Sequence, residues 1–134
     1  MDRHAIEQTL RRAYEARVRG DIDEISRIFR EDAHFELAGS PAASAVARRT
    51  LGVEEFRPRI VELIKTFEMS DLEVLSMVIE GQRAAVHWRV KVRSTITGAT
   101  ATTDLMDLVE FKDGRIAFFL EFCDTALAAR LMAH

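Results

Sequence analysis

Two acidic residues in the second half of the chain stand where an ionisable group needs an explanation. Asp107 lies in T-T-D-L-M-D-L-V-E-F, residues 102–111, a run that reads as a strand entering the turn Lys112-Asp113-Gly114. Side chains alternate along a strand, so Leu105, Asp107, Val109 and Phe111 share one face. Three of the four are apolar, which points that face at a core. A carboxylate buried without partners costs several kcal/mol, or keeps its proton through a raised pKa. Asp107 is therefore either a buried acid satisfied by backbone donors or an acid in the wall of a ligand pocket. Glu121 is the second candidate. It shares a face with Phe119 and Cys123, while Phe118, Leu120 and Phe122 form an entirely apolar opposite face. Glu121 thus faces either a pocket, or solvent and a dimer-interface arginine. If both acids reach one pocket they cannot easily both ionise, and one would serve as acid while the other serves as base.

Further residues invite chemistry. Trp88 alternates with Val86, Val90 and Val92, as a core-filling aromatic or as a wall that stacks on a flat ligand and donates its indole N–H. His87, Arg89, Lys91 and Arg93 make the other face of that strand, a charged row suited to solvent or a dimer. His34 and Glu36 stand opposite Phe35 and Leu37, which favours an exposed or interface histidine. Asp104 falls on the face opposite Asp107, and only a bulge would bring both inward. Cys123 has no basic neighbour in sequence and reads as a small buried hydrophobe. Asp32, just before the first strand, caps or turns.

The elements that must position these residues follow from periodicity. Apolar groups at Ala5, Ile6, Leu10, Ala13, Tyr14 and Val18 predict a helix over 4–18, closed by Gly20, with Asp21 capping the next helix. Ile22, Ile25, Ile28 and Phe29 mark that short second helix, ending near Arg30-Glu31-Asp32. Residues 33–38 predict a strand, and the small, polar stretch 39–50 a mobile loop or lid. A third helix spans 53–67, with Pro58 in or just after its first turn. The pattern then changes to period two. Strands over 69–80, 84–96, 100–111 and 115–123 are joined by short turns and predict an antiparallel meander. A short helix over 126–132 closes the chain. Helices first and a long sheet afterwards give an α+β domain, residues 1–134, with a cone-shaped pocket between the layers.

Composition bounds the function. A chain of 134 residues with 48% hydrophobic and 31% charged content fits one folded domain. A net charge of −3 offers no basic face for nucleic acid. No apolar run approaches the ~20 residues of a membrane span. M-D-R-H-A-I-E-Q at the start lacks the apolar core of a signal peptide, and the single cysteine suits a reducing compartment, so a cytoplasmic location is expected. Four scattered histidines show no metal-ligand spacing, and neither metal nor cofactor is expected.

The opening helix, R-G-D-I-D-E-I-S-R-I-F, E-D-A-H-F-E, the helix after Gly52 and the four-strand meander resemble the NTF2-like superfamily over nearly the whole chain. That group includes ketosteroid isomerases and SnoaL-like polyketide cyclases. The resemblance implies a cone of about three N-terminal helices packed in a curved, mixed but mainly antiparallel sheet, with homodimers built on the sheets. T-D-L-M-D-L-V-E-F resembles the isomerase strand carrying a protonated acid in the oxyanion hole, and Asp107 matches that acid. Ketosteroid isomerase is itself the standard example of a carboxylic acid kept neutral so that it can donate a hydrogen bond. The isomerase base, however, falls on Leu37, which takes no proton, and the oxyanion tyrosine on Ala13. Glu36 and Tyr14 are each one residue away, on the opposite strand face and about 100° around the helix. Steroid isomerisation by that mechanism is thus not expected. The resemblance also turns Phe119, Glu121 and Cys123, and the Trp88–Val90 face, toward the pocket.

Two functions follow as expectations. In the first, a cofactor-independent isomerase-, cyclase- or lyase-type enzyme acts on a small, mostly apolar carbonyl compound. Asp107 donates to the developing enolate, Glu121 shuttles a proton, and Tyr14, Leu37, Trp88, Val90, Phe119 and Cys123 line the pocket. In the second, the same pocket binds a small molecule without catalysis. A dimerisation module with a filled core is a third, weaker reading. The apolar convex face, with Phe118, Leu120 and Phe122 beside the charged row, predicts a homodimer through the sheet.

Overall fold

A computed structural model describes residues 1–44 and 46–133. Helix α1 (Arg3–Arg19) starts where the Asp2 carboxylate accepts the Ala5 N–H, and ends at Gly20, whose φ of 76° only glycine adopts cheaply. Asp21 then accepts from Glu24 N–H and opens α2 (Ile22–Ile28). The Gly20 and Asp21 caps fall where the sequence places them. Strand β1 (Phe29–Leu37) begins four residues earlier than expected, because Phe29 fits both the helical and the strand period. Its ladder with β6 slips between Phe29 and His34, where the exposed Glu31 and Asp32 are passed over.

The largest difference lies in the stretch expected to be a loop. Its end forms β2 (Arg48–Leu51), paired antiparallel with β1 through Phe35 and Thr50. Only Thr50 of that strand is buried, so the stretch shows no period-two apolar signal; its arginines mark a charged sheet edge. Val46 and Ala47 are buried as well, and the Arg59 guanidinium donates to the Val46 carbonyl at 2.6 Å. Ala45, in the same stretch, lies outside the described residues.

Helix α3 (Val53–Thr66) contains Pro58 just after its first turn, at the loss of one helical hydrogen bond. Strands β3 (Phe67–Glu80), β4 (Arg83–Ser94), β5 (Thr100–Lys112) and β6 (Arg115–Phe122) form the antiparallel meander, followed by α4 (Thr125–Met132). The six-stranded sheet runs β2-β1-β6-β5-β4-β3, with β1 parallel to β6 and every other pair antiparallel. Register slips in β3 around Asp71, which has φ of 55°, add local twist and bend. Helix α1 packs on β3 and α3 on β1, β2 and β3. No helix among the described residues is long and apolar enough to cross a membrane.

Candidate active site

Strand register alone places the two acids side by side. Asp107 on β5 and Glu121 on β6 are direct cross-strand partners, Glu121 is next paired with Leu37 on β1, and Val86 flanks Asp107 on β4. Leu37, Glu121, Asp107 and Val86 therefore form one row across the concave face. The residue that takes the isomerase base position, Leu37, has a carboxyl on the adjacent strand instead of on itself.

Asp107 is 1% exposed and sits behind the wall rather than in it. Its Oδ2 accepts two hydrogen bonds, from Tyr14 Oη at 2.6 Å and from Trp88 Nε1 at 2.8 Å. The two rings lean on each other, with centroids 4.9 Å apart. Oδ1 takes no proton donor from the described residues, and the carboxyl in contact with Asp107 is that of its cross-strand partner Glu121. Between two ionised carboxylates that contact is repulsive; with one proton between them it is a hydrogen bond. Burial first, then the Glu121 charge, holds the Asp107 carboxyl well above the usual range, against the downward pull of the Tyr14 and Trp88 donors. Burial raises Glu121 too, opposed by its bond to Asp107 and by the positive charge of Arg17. The pair is best described as sharing one proton, on Asp107, with Glu121 as the carboxylate. Burial and the nearby acids also push Tyr14 upward, so it stays a donor.

The concave face encloses a cavity of about 110 Å3, several times the ~10–15 Å3 that one water requires. Of the residues named from sequence, Tyr14, Leu37, Trp88, Phe119, Glu121 and Cys123 line it. Val90 does not: it faces the concave side but is fully buried in the core. Asp107 does not either, so it reaches the cavity only through its neighbours. The Trp88 N–H is committed to Asp107, which leaves the indole ring as wall and not as a donor to a ligand. Cys123 is a cavity thiol pushed up to about 11 by burial and the surrounding acids, so it is not a nucleophile at neutral pH. On the convex face, His87 and Arg89 both bond Asp104 and hold it down at about 2, led by the Arg89 hydrogen bond. His34 and Glu36 are outward as well, in register with Phe118 and Leu120.

Sequence reasoning missed Arg17, which also lines the cavity. It falls three residues after Tyr14 and four after Ala13, the helical spacing that puts all three on one face. That spacing was the available signal. Val46 and the α4 residues Leu127, Ala128 and Leu131 complete the wall. Among the described residues no cluster of three or more His, Cys, Asp or Glu side chains stands ready for a metal.

The profile of the SnoaL-like domain matches residues 10–119. The chain belongs to the SnoaL-like domain family. Solved structures agree on the fold. An NTF2-like protein of unknown function from Burkholderia pseudomallei superposes with a TM-score of 0.86 at 24% identity, covering 100% of both chains. A putative isomerase from Bacillus subtilis gives a TM-score of 0.86 at 17% identity, over 96% of this chain and 92% of that one. TerC, co-crystallised with polyporic acid, gives 0.82 at 18% identity, over 96% and 98%. No curated protein matches this sequence. The SnoaL-like family and the NTF2-like α+β fold are thereby shown.

Proposed function

We propose that this SnoaL-like domain is a cofactor-independent acid–base enzyme that moves a proton on a small, mostly apolar carbonyl compound held in the cone. One observation carries the reading: the Asp107–Glu121 pair, in register on neighbouring strands, with only Glu121 facing the cavity. Glu121 is the catalytic residue. Its desolvated carboxylate takes a proton from carbon beside the carbonyl and returns it to another atom of the enolate, so the ligand is isomerised with no net redox change. Asp107 is a positioning residue that acts through Glu121: its proton fixes the carboxylate's orientation, and Tyr14 and Trp88 fix Asp107. Leu37, Trp88 and Phe119 hold the apolar body of the ligand. A relative crystallised with polyporic acid supports a flat, oxygenated small molecule as occupant. The outward row Val78, Leu108 and Leu120, with Met106 and Phe122 beside it, we assign to a second copy of the chain.

The test is carboxyl-selective NMR titration of wild type, Asp107→Asn and Glu121→Gln. A raised pKa that falls when the other acid is neutralised supports the shared proton; two ordinary, independent titrations overturn it. In an assay of carbon–hydrogen exchange on carbonyl compounds, Glu121→Gln abolishes turnover. Asp107→Asn keeps turnover and loses the alkaline limb of the pH profile.

Leu37 at the isomerase base position favours a second reading, a binding domain without catalysis. Ligand binding with no proton exchange from any bound compound would select it.

A further inference from the structure

Arg17 lines the cavity and acts on the acid pair only through its charge. Its Nη2 donates to the carbonyls of Leu63 and Phe67, 3.2 and 3.1 Å away, so one edge of the guanidinium closes the C-terminal end of α3. That contact fixes the side chain against the wall. Among the described residues no acceptor takes the Nε or Nη1 hydrogens, and neither nitrogen is one of the buried unpartnered atoms, Arg59 Nε and Asp107 Oδ1. No carboxylate of the described residues lies within 4.0 Å of Arg17; Glu121 acts on it only from farther away. The Tyr14 and Trp88 donors, by contrast, are committed to Asp107. A cation that lines a mostly apolar cavity with donors to spare, and whose opposite charge, Glu121, stands beyond 4.0 Å, is placed to take the negative charge of a ligand. A guanidinium offers it as a planar fork, which fits two oxygens sharing one negative charge.

We propose that Arg17 orients the ligand, and that the ligand is a flat, mostly apolar molecule carrying a delocalised anionic oxygen pair, either a carboxylate or the enolate of a 1,3-dicarbonyl. The inference rests on the cavity being a ligand site and goes beyond it in naming the charge of the substrate. Besides Arg17, the titratable groups around that site are Glu121 and Asp107 from the sheet, Tyr14 from α1, and Cys123 and Asp124 at the end of β6. Among the described residues Arg17 is the sole cation lining the cavity. Burial lowers it to about 10, which leaves it charged at neutral pH.

Trp88, the single tryptophan, lines the cavity and reports binding by its fluorescence. The probes are naphthoate, the indanedione enolate and the neutral isostere naphthamide, titrated into wild type, Arg17→Lys and Arg17→Gln. Expected is at least about tenfold tighter binding of one or both anions than of naphthamide to wild type, where tenfold corresponds to ~1.4 kcal/mol. Which anion leads tells carboxylate from enolate. Arg17→Gln should erase the preference while naphthamide binding stays within about twofold, and Arg17→Lys should restore part of it. Equal binding of acid and amide to wild type overturns the proposal without reference to any variant, and so does a preference that survives Arg17→Gln. If wild type binds none of the three probes, the cavity reading under Proposed function fails with it. If naphthamide alone binds, only the charge assignment fails.

Discussion

Asp104 and Asp107 stand three residues apart on one strand and have opposite chemistry. Asp104 faces outward, is bonded by Arg89 and His87, and keeps its charge down to about 2. Asp107 faces inward, is closed off by Tyr14, Trp88 and Glu121, and holds its proton. The same contrast extends over the sheet. Phe119 is buried against Phe29 and Phe35, whereas Phe122, three residues on, is 53% exposed. What decides the protonation of an acid here is which side of the sheet it occupies, since water and cations compensate charge on one side and only fixed dipoles do so on the other.

The contrast is most strongly broken by removing bulk from each face. Phe119→Ala should cost about 4 kcal/mol of unfolding free energy, by denaturant titration. Phe122→Ser should leave the unfolding of the single chain nearly unchanged and weaken self-association, read by sedimentation. If Phe122→Ser leaves association untouched, the dimer assignment of the convex face is wrong.

Next in size is the loss of each acid. Asp107→Leu strands the buried Tyr14 and Trp88 donors and should destabilise by about 3 kcal/mol. Asp107→Asn keeps the acceptor, puts an N–H where the carboxyl proton was, and should cost well under half as much. Asp104→Leu removes only exposed ion pairs and should move the melting temperature far less than either.

The pH dependence sharpens the comparison further, because the two aspartates pull with opposite sign. Asp107 has a raised folded pKa, so its contribution is fully present below the unfolded value of ~3.9 and is lost as pH rises through the folded one. Asp104 is depressed, so its contribution is present above ~3.9 and is lost as pH falls through about 2. Unfolding free energy followed across pH should lose part of its alkaline decline in Asp107→Asn and part of its acid decline in Asp104→Asn. Glu121, also raised, adds to the alkaline decline.

The smallest effect concerns thiols. Cys123, pushed up to about 11, should react with a disulfide reagent slowly at mildly alkaline pH. Phe122→Cys in a Cys123→Ala background should react on the convex face at an ordinary rate. Equal rates would mean that the cavity admits water and reagent as freely as bulk solvent.

Most of the scaffold is legible in the sequence, because local rules govern it. Gly20 and Asp21 set helix ends through backbone geometry, and the change from helical spacing to alternation after Phe67 announces the meander. Alternation also sorts Asp107 from Asp104, and Phe35 from His34, between the faces of the sheet. Strand β2 escaped notice because an edge strand with one buried residue leaves no alternation to read. Arg17 escaped because a charged residue on a helix reads as solvent-facing until the carbonyls at the end of α3 are known to lie beside it.

Tertiary structure alone decided the rest. That Asp107 and Glu121 share a row depends on register between strands, which no residue encodes by itself. That Asp107 lies behind the wall, Val90 in the core and Glu121 in the cavity depends on how α1 and α4 cover the concave face. Sequence determines which face a side chain takes, because pleating is local. Depth, and with it the charge state of a buried acid, belongs to the packing of distant elements, because desolvation is summed over all of them.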